Sequence, residues 1–528
     1  MLCGPWQSPR HFDALSGRAT QSARWLLPLI RRAYSGNVSA ASTSSGKAAA
    51  TPRQPQQRFA TARSIALQQL VRIEQEGAFS NLLSEDSQDT DSSRGVRDPT
   101  AGLLMAKKAT ALVAGVTRWR LYLDWLMEMI ATGPTKRTRP HVRQVLRLGA
   151  YELVILKEPP YVANEYINLL KDIRKKEAAN FVNAMLRKVT RAIEAGQLPE
   201  PVEGAGDAST PLTAVQALSI RHSHPLWMVK RWADHFSPED LTALLEANNR
   251  KPQYAVRAAG GDTAALQTEL QDAGIEAVAS LFLPGDFLQV EGMQQLLMGP
   301  WLRNGRCSVQ DEAAGLVVAL LDPQPGEAIL DCCAAPGGKA LFAASRMRGL
   351  GSLLALDINE ARLDLVRNTA LLQGLTHMIR TQATSLQDYL AGRGTVDVTG
   401  SPAVQLFDRV LLDAPCSGTG VLGKRADLRW RRTPEQLLEL VQLQVTLLDA
   451  AAQLVKPGGV LVYSTCSIEP DENEQQILAF LQRWPNFALQ QPEHLSPSVL
   501  STQGFLKMLP HVHGTDGAFG ASLRRHAE

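Results

Sequence analysis

Three cysteines in the C-terminal half of the chain stand where apolar runs give way to small and polar residues. Cys333 opens Cys333-Ala334-Ala335-Pro336-Gly337-Gly338-Lys339, at the end of "EAILDCC". Cys416 follows "FDRVLLDAP", three residues after Asp413. Cys466 closes "GGVLVYSTC". A thiolate is a soft nucleophile, and a few per cent of an unperturbed thiol is ionised near neutral pH. Added to C6 of a pyrimidine, it makes C5 nucleophilic enough to take a methyl cation equivalent. An acid near N3 stabilises the charge that develops on the ring. Two strand-end thiols and an aspartate are a toolkit for that reaction. The other cysteines are Cys3, Cys307 and Cys332; there is no CxxC pair and no histidine cluster. Neither a zinc site nor a disulfide framework is expected, and no metal.

The elements that must position these groups alternate. "EAILDCC", "GSLLALDI", "FDRVLLDAP" and "GGVLVYSTC" are apolar strands, and helical patterns separate them. Such alternation predicts a mostly parallel, doubly wound α/β sheet covered on both faces. Ligands bind beyond the carboxyl ends of the strands in sheets of this kind. Asp331, Asp357, Asp413 with Cys416, and Ser464 with Cys466 should therefore meet in one cleft. Gly337 and Gly338 let backbone approach a ligand closely, and Asp357 suits a ribose diol. By themselves these features would also suit a dinucleotide. "AAPGGK" is, however, neither G-x-G-x-x-G nor a P-loop. It fits an adenosyl ligand with no pyrophosphate to cradle.

The whole chain has 528 residues, enough for two or three domains. Residues 1–58 are rich in Arg, Ser and Ala and hold eight Lys and Arg against the single acid Asp13. They read as a transit peptide and disordered leader. Without them the net charge of +3 becomes slightly negative, so bulk charge gives no argument for nucleic acid. Residues 59–195 form an all-helical domain; in "RFATARSIALQQLVRIEQ" Ala62, Ile65, Ala66, Leu70 and Ile73 share one face. Residues 196–212 read as a linker, 213–305 as a small α+β segment, and 306–528 as the α/β domain. No apolar run approaches the roughly 20 residues of a membrane span.

"CAAPGGK", "LLDAPCSGTGVL" and "YSTCSIEPDENE" resemble, in the same order, the signature motifs of the RNA cytosine-C5 methyltransferases of the NOL/NOP/Sun family. The tail "HGTDGAFGASLRR" resembles the family's closing strand, and the likeness spans roughly residues 215–525. "FVNAMLRKV" and "VANEYINLLK" resemble a NusB-type RNA-binding domain. The combination resembles that of the Sun (RsmB) branch, which acts on small-subunit rRNA. The resemblance implies a Rossmann-like domain that uses S-adenosyl-L-methionine.

By position, Cys466 resembles the nucleophile, Cys416 the cysteine that assists release, and Asp413 the acid that contacts the target ring beside the cofactor. Cys333, Ala334, Ala335, Pro336, Gly337, Gly338, Lys339 and Asp357 resemble the cofactor site. The family's acid after the third strand is here Thr384, with Asp388 as a possible substitute. DNA cytosine methyltransferases place their nucleophile in a Pro-Cys context, which makes Cys416 the rival of Cys466. Cys332 is expected to pack.

The basic run "GKRADLRWRR" (423–432), next to the Cys416 motif, is expected to touch RNA backbone at the substrate entrance. A bacterial-type enzyme with a leader points to an organelle matrix, the chloroplast stroma slightly ahead of the mitochondrion. The expected state is a monomer. Competing readings are a non-catalytic RNA-binding or ribosome-assembly factor, and the same chemistry on tRNA.

Overall fold

The computed structural model describes residues 61–76, 99–131, 138–173, 175–207, 210–392 and 404–527. The leader, and with it the transit-peptide reading, lies outside them. Six helices follow first: α1 (Ala62–Glu76), α2 (Pro99–Arg118), α3 (Arg120–Ala131), α4 (Pro140–Ala150), α5 (Val162–Asp172) and α6 (Ala179–Glu194). The predicted face of α1 points inward: Ala62, Ala66 and Leu70 are buried, and Ile65 and Ile73 pack against the same core. α6 buries Val182, Met185, Leu186 and Val189 at helical spacing. One buried charge is tied down inside this domain, where Arg63 forks onto Glu152 at 2.7 and 2.9 Å.

Three helices come next, α7 (Ala214–Arg221), α8 (Leu226–Ala233) and α9 (Pro238–Ala247). They lead into a four-stranded antiparallel sheet of β1 (Tyr254–Ala258), β2 (Ala277–Ala279), β3 (Phe287–Val290) and β4 (Cys307–Val309), in the order β2-β3-β1-β4. β4 pairs with β1 beyond position 306, so the α+β segment extends past the expected boundary. The helices also have a second role. Met228, Val229, Trp232 and Leu244 share a core with Leu422, Leu428 and Ile468 of the α/β domain.

That domain begins with α10 (Glu312–Leu321) and builds one eight-stranded sheet. Its elements are β5 (Ala328–Asp331), α11 (Gly338–Arg346), β6 (Ser352–Asp357), α12 (Glu360–Leu372), β7 (Ile379–Ala383), β8 (Phe407–Asp413), α13 (Pro434–Gln453), β9 (Val455–Thr465), α14 (Glu474–Arg483), β10 (Phe487–Leu489), β11 (Leu506–Met508) and β12 (Ala518–Arg525). The order is β10-β12-β9-β8-β5-β6-β7, with β11 on β12. β9, β8, β5, β6 and β7 run parallel, as the alternation predicted, and β12 is antiparallel. Successive residues of a strand face opposite sides. Leu411 and Val462 meet α10–α12, whereas Leu412 and Tyr463 meet α13 and α14.

Much of the basic run 423–432, expected to touch RNA backbone, is committed to contacts within the protein, although Arg425 is exposed. Arg429 is fully buried and donates to the carbonyls of Ser223 at 3.1 Å and Asn248 at 3.2 Å, and to Asn249 Oδ1 at 3.0 Å. Trp430 Nε1 donates to Thr117 O at 2.6 Å, and Arg118 reaches back to Gly423 O at 2.7 Å. Lys424 pairs with Asp311 and Asp516, and Arg431 with Asp427. The run cements the helical domain onto the loop that follows Cys416.

Candidate active site

Strand register brings the candidate residues together. Asp413, the last residue of β8, pairs with Ser464 on β9, so both strands discharge their loops at one level. Ser464 Oγ donates to Asp413 Oδ1 at 2.8 Å, and Lys339 Nζ sits 2.7 Å from Asp413 Oδ2. Lys339 arrives there because α11 starts at the second glycine of the pair, with Gly337 as its N-cap. Gly337 has φ +106°, a left-handed conformation that L side chains rarely adopt. Gly338 carries no such constraint.

The two motif thiols meet: Cys416 Sγ and Cys466 Sγ are 3.3 Å apart, and both are free cysteines. Gly420 fixes this approach. Its amide donates to Cys466 O at 3.0 Å, and a Cβ there would fall 2.8 Å from the same oxygen. Beneath the thiols lies a buried polar hub. Glu472 accepts from Ser417 N at 2.8 Å, Ser417 Oγ at 2.5 Å and Gln444 Nε2 at 2.9 Å. Asn473 accepts from Thr465 Oγ1 at 2.6 Å and donates to Ser467 O at 2.9 Å. Arg432 donates to the carbonyls of Ser417 and Cys416 at 2.8 and 3.1 Å. The hub locks both cysteine loops in place. Reasoning from the sequence missed its members, although Glu472 and Asn473 sit inside the "EPDENE" motif.

Electrostatics make the two thiols unequal. The hydrogen bond with Cys416 holds Cys466 below the ordinary thiol range; burial and Asp413 oppose it, and Lys339 reinforces it. The same hydrogen bond, with burial and then the charges of Glu472 and Asp413, pushes Cys416 well up. Burial alone would lower the Lys339 ammonium, but Asp413 more than offsets this and keeps it charged. Burial, then Asp413, raises the Asp331 carboxyl to about 7. Cys333 is pushed up by burial and by Asp331, Asp413 and Asp357, and Cys332 by burial and its neighbours.

The remaining candidates lie at or just after the carboxyl ends of β5, β6 and β7. Asp357 accepts Ala335 N at 3.2 Å and Asn359 N at 2.9 Å, and lies 3.6 Å from Arg362. Cys333 N donates weakly to Asp331 Oδ1, and Ala334 N to Leu356 O at 2.8 Å. The Ala335–Pro336 bond in this loop is cis. Thr384 follows β7, where its amide donates to Asp357 O at 3.1 Å. Asp388 is turned to its own helix start, 2.7 Å from Ser385 Oγ.

Residues 318–524 match the family model for 16S rRNA methyltransferase RsmB/F, residues 60–191 that of the NusB family, and residues 224–291 the RsmF/B-like ferredoxin-like domain. A probable ribosomal RNA small subunit methyltransferase B of Bacillus subtilis is 34% identical over 478 residues, 88% of this chain and 98% of its own. The chain belongs to that family. A ribosomal RNA small subunit methyltransferase B of Citrobacter koseri is also 34% identical, over 87% of this chain and 98% of its own. Among solved structures, PH0851 shares the fold with a TM-score of 0.68 at 24% identity, over 88% of this chain and 99% of that one. A methyltransferase homologue from Pyrococcus horikoshii aligns with a TM-score of 0.50 at 27% identity, over 59% of this chain and 98% of its own. The family's methyl donor is S-adenosyl-L-methionine. The donor set fits it. Asp331, Asp357 and Asp413 crowd the strand ends, a setting that favours a cationic sulfonium and amine and repels phosphates.

Proposed function

We propose that this protein methylates C5 of a cytosine in small-subunit rRNA, the substrate class named for its relatives. The observation that carries the reading is the 3.3 Å thiol pair in which Cys466 alone is held toward the thiolate. Cys466 adds to C6, and the electron pair displaced toward C5 forms the new bond to the methyl carbon. Asp413, held between Lys339 and Ser464, contacts the pyrimidine edge as charge grows on the ring. In release, a solvent base takes the C5 proton, its electron pair reforms the C5–C6 double bond, and the C6–S bond breaks to return Cys466 as a thiolate. Cys416 assists this step. S-adenosylmethionine, when bound, supplies the methyl group as a cation equivalent. The Cys333–Lys339 loop, Asp357 and Thr384 would hold it, with Asp357 on the ribose hydroxyls. The target base must leave its stack to reach the half-buried thiols at the strand ends, which favours an unpaired or flipped nucleotide.

Transfer of labelled methyl to unmodified small-subunit rRNA, followed by nucleoside analysis, tests the assignment. The expected product is 5-methylcytosine. Label on another atom, or no transfer, would overturn it.

A further inference from the structure

A cavity of about 270 Å³ includes Gly420, next to the thiol pair, in its lining and none of the cofactor-loop residues 333–339. One wall contains Gly420, whose amide is hydrogen-bonded to Cys466 O at 3.0 Å. The opposite wall is the connection from α9 to β1, which carries Arg250 and Lys251. The closing segment at Thr515 completes it.

The charges around it are unevenly committed. Lys424, on the floor, is offset by Asp311 and Asp516. Arg250 and Lys251 are exposed, and among the described residues neither side chain has an ion pair or hydrogen bond. Two uncommitted cations at the mouth of a polar cavity suit a phosphodiester. None of the side chains lining the cavity is aromatic, so it offers no platform for a stacked base. Its volume lies near the lower end, about 300 Å³, of ligand-sized sites, enough for one backbone unit and too little for a duplex.

We propose that this cavity holds the ribose–phosphate of the nucleotide adjacent to the target base, with Arg250 and Lys251 on its phosphate. The inference rests on the RNA-methylating activity proposed above. It adds two uncommitted cations to a cavity that Lys424, offset by Asp311 and Asp516, already lines. Seating the neighbouring phosphate would fix the backbone from which the target nucleotide is swung toward Cys466.

The test is steady-state transfer of labelled methyl to unmodified small-subunit rRNA by the full chain. Wild type is compared with Arg250→Glu/Lys251→Glu and with the milder Arg250→Gln/Lys251→Gln. Total label is counted, so the readout does not depend on which atom is methylated. The charge reversal should raise KM by about tenfold at moderate salt, with kcat, S-adenosylmethionine affinity and melting temperature unchanged. The log–log salt slope of kcat/KM should fall by about 1 to 2. The neutral pair should show a smaller change in the same direction. A short substrate carrying one uncharged methylphosphonate beside the target should weaken wild type but not the charge-reversed enzyme. An unchanged KM and slope, or equal methylphosphonate penalties in both enzymes, would overturn the site. No transfer by wild type would instead overturn the activity.

Discussion

The chain carries two pairs of thiols at the carboxyl ends of the same sheet, Cys332 buried and the other three half-buried, and they differ in chemistry. Cys332 and Cys333 follow β5; after burial, Cys333 and then Asp331 weigh most on Cys332, and Asp331, Asp413 and Asp357 on Cys333. Burial and negative charge act in the same direction, so both stay protonated. Cys416 and Cys466 are half-buried, as Cys333 is. They differ in what faces them: an S–H donor 3.3 Å away, and the Lys339 ammonium acting on Cys466. Depth does not separate an inert thiol from a nucleophile here. The sign of the nearest partners does.

The widest gap between the pairs should appear on removing a thiol. Cys466→Ala is expected to lower kcat by about 10³-fold or more, whereas Cys333→Ala should stay within about threefold, in methyl-transfer assays with rRNA. Similar losses in both would erase the distinction. Cys416→Ala is expected to slow turnover by about 10²-fold and to accumulate a protein–RNA adduct that survives denaturing electrophoresis. The same variant sharpens the electrostatic claim. A lowered thiol pKa means that the reactive thiolate is already present at lower pH. Adduct formation in wild type should therefore reach its plateau below the ordinary thiol value of about 8.5. Without the Cys416 donor the inflection should move to higher pH. Lys339→Met should move it in the same direction by less, because Lys339 is the lesser contributor. A shift to lower pH in either variant would contradict the assignment. Smallest of all, Cys332→Ala should cost about 1 kcal/mol of stability, read from denaturant unfolding, and leave the pH profile unmoved.

What the sequence made legible was local. The parallel sheet follows from apolar runs that alternate with helices, and the strand-end rule gathered Asp331, Asp357, Asp413, Cys416 and Cys466 before any coordinates. The sequence shows a glycine pair but not that Gly337 alone of the two takes a left-handed φ. Misreadings arose where a side chain's partner lies far along the chain. Arg429 looks like a solvated cation in "RADLRWRR", yet its acceptors are Ser223, Asn248 and Asn249, some 180 to 206 positions away. A charge run shows neither its burial nor its acceptors. The Glu472 hub was hidden in the same way, because its partners Ser417 and Gln444 come from other elements. β4 escaped the boundary at 306 because three residues between a loop and a helix carry too little pattern to reveal which sheet they join.

The account stands on Cys466 being the thiol that bonds to the base. Substrate RNA carrying 5-fluorocytosine at the target has no C5 proton to lose, so the adduct formed after methyl transfer cannot break down. Digestion and mass spectrometry of the trapped complex then identify the attached residue. The nucleotide should be found on the peptide containing Cys466. Attachment at Cys416, or at Cys333, would contradict it.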